Sequence, residues 1–237
     1  MVFHSKKKGR LSEGEKKVED LGDRWTYVNV LPRSSFIHTV HHGKRNGKQT
    51  LKFVEKIKDN SNGKAPTFLS DGYEEYEKAI KTVYDFFDEE RMEFVLPQEL
   101  NYAQIVKHKK NGKLESIEEK IIFGYKEKIL EVIREDGRGK KLNTSFVESR
   151  NGNYRKDTKR LTRRTQCHSK KRELHDAQID WITAVFNFCR ENTSFRNCCN
   201  KDAKPFETKY QKRSPAMVER LTDKILSFEE LLMIRVC

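Results

Sequence analysis

Two isolated carboxylates, Asp71 and Glu148, stand 77 residues apart in this chain. Asp71 follows the apolar run Thr67-Phe-Leu69 and precedes Gly72; Glu148 lies within Asn143-Thr-Ser-Phe-Val-Glu148-Ser-Arg-Asn. Seven Arg or Lys residues fall between Arg150 and Arg164, and only one acid, Asp157, interrupts them. Pairing at i,i+4 therefore cannot neutralise the run. Arg155, Lys159 and Arg163 recur near helical spacing, with Arg160 and Arg164 beside them. Such a stripe can track phosphates without reading base sequence. A metal-binding carboxylate next to a phosphate-binding helix is the layout of a site that cuts and joins nucleic acid.

Each feature also has a plainer reading. Ser70-Asp71-Gly72 is good turn chemistry. Glu148 reads equally as an exposed helical carboxylate, and most charge runs are solvated faces. Cys167, His168, His175, Cys189, Cys198 and Cys199 invite a zinc site, but their spacing fits no common finger or ribbon. Cys189 and the aromatics Tyr73, Tyr76, Tyr84 and Phe87 read as core. His38, His41 and His42 read as sheet residues, and His175 as structural or accessory. There is no Gly-rich phosphate loop, dinucleotide fingerprint or Ser-His-Asp arrangement.

The elements that must position the carboxylates follow from periodicity. Trp25–Leu31 is aromatic and β-branched and stops at Pro32, which predicts a strand. Ser35–His42 alternates as its antiparallel partner. Leu51, Val54 and Ile57 predict a helix from Gly47 to the break at Asn60-Ser-Asn-Gly63. Thr67–Leu69 predicts a short buried strand, and Tyr73 through Phe87 one face of a helix. Tyr102–Lys107 predicts another strand, with Lys109–Lys113 as a loop. Residues 114–141 are highly charged and predict partly ordered strand or helix, with a break at Asp136-Gly-Arg-Gly139. Helices are expected at about 144–163 and 170–194, then a polar loop over 196–213. Pro215 suits the first turn of a C-terminal helix. The sum is an α/β chain, a mixed sheet flanked by helices: a flexible basic arm over 1–21, a domain over 22–195 and an extension over 196–237.

At 237 residues the chain can bury one sizeable core. It is 36% charged and 35% hydrophobic with a net charge of +13, which favours a polyanionic partner. No apolar run approaches the ~20 residues that span a bilayer. Five cysteines without framework spacing favour a reduced, cytoplasmic setting.

Four blocks of the chain resemble the transposases of insertion sequences that use an Asp-Asp-Glu triad, specifically the insertion-sequence-one type. They are Gly22-Asp-Arg-Trp-Thr-Tyr-Val28, Ser70-Asp-Gly-Tyr-Glu-Glu-Tyr76, the glutamate block Thr144–Asn151 running on through Thr158–Thr165 to His175, and a tail comprising Asn187–Arg190, Ser214–Met217 and Leu221–Leu231. The resemblance implies a ribonuclease-H-like fold and metal-dependent cleavage at transposon ends, followed by strand transfer into target DNA. It implies Asp71 and Glu148 as ligands of Mg²⁺ or Mn²⁺, and Arg155 as a DNA contact. It also implies DNA as partner, self-association on DNA, and an end-recognition part encoded separately. The family's first Asp falls at Leu31, and no aspartate occurs between Asp23 and Asp59. Asp23 would lie about 25 Å back along the strand. The alternative reading is therefore an inactive remnant that binds DNA or a partner subunit. A general RNA-binding protein is a third reading, which leaves the glutamate block unexplained.

Overall fold

The computed structural model describes residues 2–4, 12–14, 22–136, 141–162, 167, 169, 171–200 and 209–234. Strand β1 (Val2–His4) pairs with the start of β2 (Gly22–Val30), a short ladder within the stretch expected to be a flexible arm. The rest of β2 runs antiparallel to β3 (Ile37–Gly43), from Trp25 opposite Gly43 to Val30 opposite Ile37. The turn at Pro32–Ser34 lies where it was expected. Helix α1 (Gly47–Asn60) begins at Asn46, whose side chain accepts from the Gln49 amide. That bond satisfies one of the free donors of the first turn.

Strand β4 (Thr67–Asp71) leads to helix α2 (Glu75–Tyr84) and a small hairpin of β5 (Phe86–Asp88) and β6 (Glu93–Val95). Phe87 was expected on the helix face. It lies in β5 instead, about half exposed and stacked edge-on against Phe94. Asp85 has already left the helix, with extended backbone angles, so the aromatic stripe ends at Tyr84.

Strands β7 (Asn101–Lys110) and β8 (Lys113–Phe123) form a long hairpin where a loop was expected over Lys109–Lys113. Its two-residue turn, Asn111-Gly112, has φ of 51° and 78°. Positive φ at both positions matches the twist of paired strands. β4 runs parallel to β7 and β7 antiparallel to β8, giving a three-stranded mixed sheet. β2 and β3 belong to a separate antiparallel sheet.

Helix α3 (Lys126–Glu135) follows, then α4 (Ser145–Asp157), which carries Glu148. α5 (Arg172–Ala184) continues into a π turn at Val185–Cys189. Both are shorter than expected. α4 stops at Thr158, which is extended (φ −139°, ψ 123°) and whose hydroxyl accepts from the Arg160 amide. The expected loop over 196–213 holds a two-residue ladder between β9 (Asn197–Cys198) and β10 (Tyr210–Gln211). α6 (Pro215–Val218) has its proline in the first turn and Ser214 as cap, and α7 (Phe228–Met233) opens on a capping box at Ser227. No helix among the described residues is long and apolar enough to cross a membrane.

Three apolar clusters order these parts. Tyr27 of β2 packs with Phe53, Val54 and Ile57 of α1 and with Phe68 and Tyr102 of the mixed sheet. The opposite face of β2–β3 sends Val30 and Ile37 against Tyr154 of α4 and Ile179 and Phe186 at α5. Ala103 and Ile105 of β7 pack under Ile129 of α3 and Leu142. Alternation along β2 thus buries both its faces.

One polar contact fixes the second cluster. Asn187 is buried, its side-chain oxygen accepts from the Ile37 amide at 2.9 Å, and its amide nitrogen donates to the Ile37 carbonyl at 2.9 Å. It pairs with β3 as a neighbouring strand residue would. His175 is also buried, with Nδ1 2.9 Å from the Ser169 hydroxyl. Burial pushes its pKa down to about 4.

Asn187→Ala leaves a buried N–H and C=O of Ile37 without partners. It should lower unfolding free energy by about 2–4 kcal/mol in urea titrations. His175 predicts an acid limb. Its folded pKa lies below the ordinary 6.5, so the unfolded chain binds the extra proton as pH falls from 6.5 towards 4. Stability should drop across that window by up to about 3 kcal/mol. His175→Gln should flatten that part of the pH profile.

Candidate active site

Asp71 is the last residue of β4, at the carboxyl end of a parallel strand pair and opposite Ile105 of β7. Crevices at the carboxyl ends of parallel strands are where α/β sheets commonly receive ligands. The turn reading of this position is also correct, because the Asp71 carboxylate accepts from the Tyr73 amide at 3.3 Å. Gly72 must stay small: a Cβ there would meet Val106 at 2.9 Å.

Glu148 sits in the first turn of α4, where the helix dipole favours negative charge. Its carboxylate accepts from the Lys107 ammonium in a close ion pair, and the Thr144 hydroxyl lies 3.5 Å away. Asp71 and Glu148 line one pocket of about 670 Å³. The fold therefore brings together the two carboxylates singled out in the sequence.

The same pocket carries cations that sequence reading did not single out. Lys107 and Lys109 reach it from β7, and Arg45 from the turn before α1. The Arg45 guanidinium lies 4.2 Å from the centroid of the Tyr73 ring and 4.9 Å from that of Trp25, which holds it between two aromatic faces. Glu75 also lines the pocket but pairs with Lys78 at 3.0 Å. Leu31 lines an adjoining cleft of about 350 Å³ that Asp71 and Glu148 share. Leu31 does not line the first pocket, and its side chain offers no oxygen to either.

The basic run is not the continuous stripe expected. Arg155 lies seven residues beyond Glu148, two turns along the same helix face and about 10 Å away. Lys159 and Arg160 follow in a 3₁₀ turn beyond the break at Thr158. None of the three lines the pocket. Arg163 and Arg164 lie outside the described residues. Arg150 turns inward, its guanidinium 4.0 Å from the Phe186 ring centroid, and Asp157 pairs with Arg190 at 2.9 Å.

Other polar residues have structural partners. His41 is buried against the Gln49 side chain at 2.7 Å, and His42 reaches Asp180 at 2.9 Å. Cys189, expected in the core, is only partly buried, its thiol 3.8 Å from the Ser227 carbonyl. His168 lies outside the described residues.

The donor chemistry suits a hard divalent ion. Mg²⁺ accepts one or two carboxylates and completes its shell with water. Asp71 and Glu148 are two carboxylates of that kind lining one pocket. A pair of ions about 4 Å apart needs a further bridging carboxylate. Among the described residues no group of three His, Cys, Asp or Glu side chains is placed to hold a metal. Lys107 already occupies one oxygen of Glu148, so an ion bound at that oxygen competes with the ammonium.

No family model, curated protein or solved structure matches this chain.

Lys107 should therefore act as a competitor. Lys107→Met removes an exposed ion pair and should change stability by less than about 1 kcal/mol. It should tighten Mn²⁺ binding several-fold in titration calorimetry. Unchanged affinity would mean that the ammonium does not occupy the ion's place.

Proposed function

We propose that the chain is a DNA-cutting and strand-transferring subunit of the Asp-Asp-Glu transposase type, on a ribonuclease-H-like arrangement of β2, β3, β4 and β7 with α4 as the glutamate helix. The observation that carries this reading is the shared pocket of Asp71 and Glu148, ringed by Arg45, Lys107 and Lys109. Carboxylates to hold a divalent ion and cations to hold phosphates are what phosphodiester chemistry requires in one place.

In this reading Asp71 and Glu148 would hold Mg²⁺ or Mn²⁺, which when bound would supply Lewis-acid polarisation of the phosphodiester. Arg45 and Lys109 hold the flanking phosphates, with Arg45 kept from swinging by Trp25 and Tyr73. Lys107 moves from Glu148 to a phosphate oxygen as substrate arrives. Arg155, Lys159 and Arg160 hold the duplex backbone further along. The reaction is hydrolysis at an element end, then attack of the freed 3′ hydroxyl on target DNA. Self-association on DNA, a separate end-recognition subunit and a cytoplasmic location belong to the same proposal.

Leu31 favours a second reading. A chain with Leu31 where the family has its first Asp retains DNA and partner binding but lacks that ligand for a pair of ions. Leu31 lines the adjoining cleft that Asp71 and Glu148 share, so Leu31→Asp adds a carboxylate on that side.

Mn²⁺ titration calorimetry and nicking of supercoiled plasmid decide between these readings. Wild type should bind one Mn²⁺, and Asp71→Ala should weaken that binding at least tenfold. Leu31→Asp should bind more tightly and nick DNA in Mn²⁺. Nicking by wild type would discard the inactive reading. Failure of both wild type and Leu31→Asp to bind Mn²⁺ would discard the metal site altogether.

A further inference from the structure

The β7–β8 hairpin does more than build the pocket wall. β7 is buried from Asn101 to Ile105 and exposed from Lys107 to Lys110; β8 is exposed from Lys113 to Lys120. The outer half is therefore a two-stranded ribbon with both faces in solvent. From Ile105 to Lys110 it extends about 17 Å at ~3.4 Å per residue.

Its two faces differ. Lys107 stands opposite Ile117, and Lys109 opposite Leu114. Opposed residues in an antiparallel ladder share a face. Lys107 and Lys109 line the Asp71–Glu148 pocket, so this face continues the pocket outward. Ile117 and Leu114 are each 54% exposed on it. Beyond them, Lys110 and Lys113 flank the Asn111-Gly112 turn.

The ribbon's acids are engaged. Glu118 pairs with His108 at 2.9 Å and Lys120 at 3.7 Å, Glu119 pairs with Lys126 at 2.9 Å, and Glu115 lies 3.9 Å from Lys110. Lys109 and Lys113 have no carboxylate within ion-pair distance among the described residues. The tip thus presents cationic charge, and its inner face presents two aliphatic side chains that protein does not cover.

We propose that this ribbon enters the major groove of duplex DNA held at the pocket. The groove is about 12 Å wide and admits a two-stranded ribbon. Lys109, Lys110 and Lys113 meet phosphates on its two walls, and Leu114 and Ile117 lie against base edges and thymine methyls. The inference rests on the DNA-cutting reading and adds to it the surface that aligns the duplex. Charge complementarity and continuity with the pocket select duplex DNA over a protein partner.

Fluorescence anisotropy with a mixed-sequence duplex, across a salt series, tests the proposal. The triple variant Lys109→Glu, Lys110→Glu, Lys113→Glu should lose at least about tenfold in affinity, and its salt slope should fall by about 2–3. The double variant Leu114→Ser, Ile117→Ser should lose several-fold with the slope unchanged. These positions are exposed, and circular dichroism checks that both variants keep the wild-type fold. If both bind like wild type while Arg155→Ala, Lys159→Ala binds weakly, the ribbon proposal is overturned and the DNA reading stands. If wild type binds no duplex, both fall. Equal affinity for duplex RNA also overturns groove entry, because the major groove of A-form RNA is too narrow for side chains.

Discussion

The apolar face of α1 is what holds the two sheets in register. Phe53, Val54 and Ile57 meet Tyr27 from one sheet and Phe68 and Tyr102 from the other. β2 and β4 share no ladder, so hydrogen bonds do not set their spacing. Side-chain packing sets it instead. Each such side chain contributes about 1.5–3 kcal/mol on burial, and close packing resists small shifts. The separation of Asp71 from the elements around it follows from that contact.

Glu148 depends on a different anchor. Val147, beside it on α4, packs with Tyr154 against β2–β3, and Asn187 ties β3 to the end of α5. Asp71 therefore belongs to the mixed sheet and Glu148 to the antiparallel one. Their meeting is a tertiary result that neither sheet produces alone. Lys107 adds a direct link across the divide, from β7 to α4. Its contribution to stability is small at an exposed site.

Much of this was legible in the chain itself. The aromatic and β-branched run Trp25–Leu31 and the alternation over Ser35–His42 marked the first hairpin, and the period change at Gly47 with the break from Asn60 bounded α1. The significance of Asp71 and Glu148 came from their isolation, the basic run and the family resemblance. Lys107 was not legible, because its partner is 41 residues away and no local pattern links them. The β7–β8 hairpin was legible only in part, for a related reason. Its outer half buries nothing, so no period-2 pattern exists there, and only Asn111-Gly112 signalled the turn. The early end of α4 has a local cause, since the Thr158 hydroxyl offers the backbone an alternative partner.

The Lys107–Glu148 pair gives the pocket the character of an ion exchanger. A bare carboxylate facing solvent would draw a cation from whatever salts surround it. This one carries its counter-ion on the same chain, four carbons from the backbone of a neighbouring strand. Under the proposed reading, a divalent ion and this ammonium compete for the same carboxylate. The protein balances that charge from its own chain, so, under the proposed reading, chelators should leave its fold untouched.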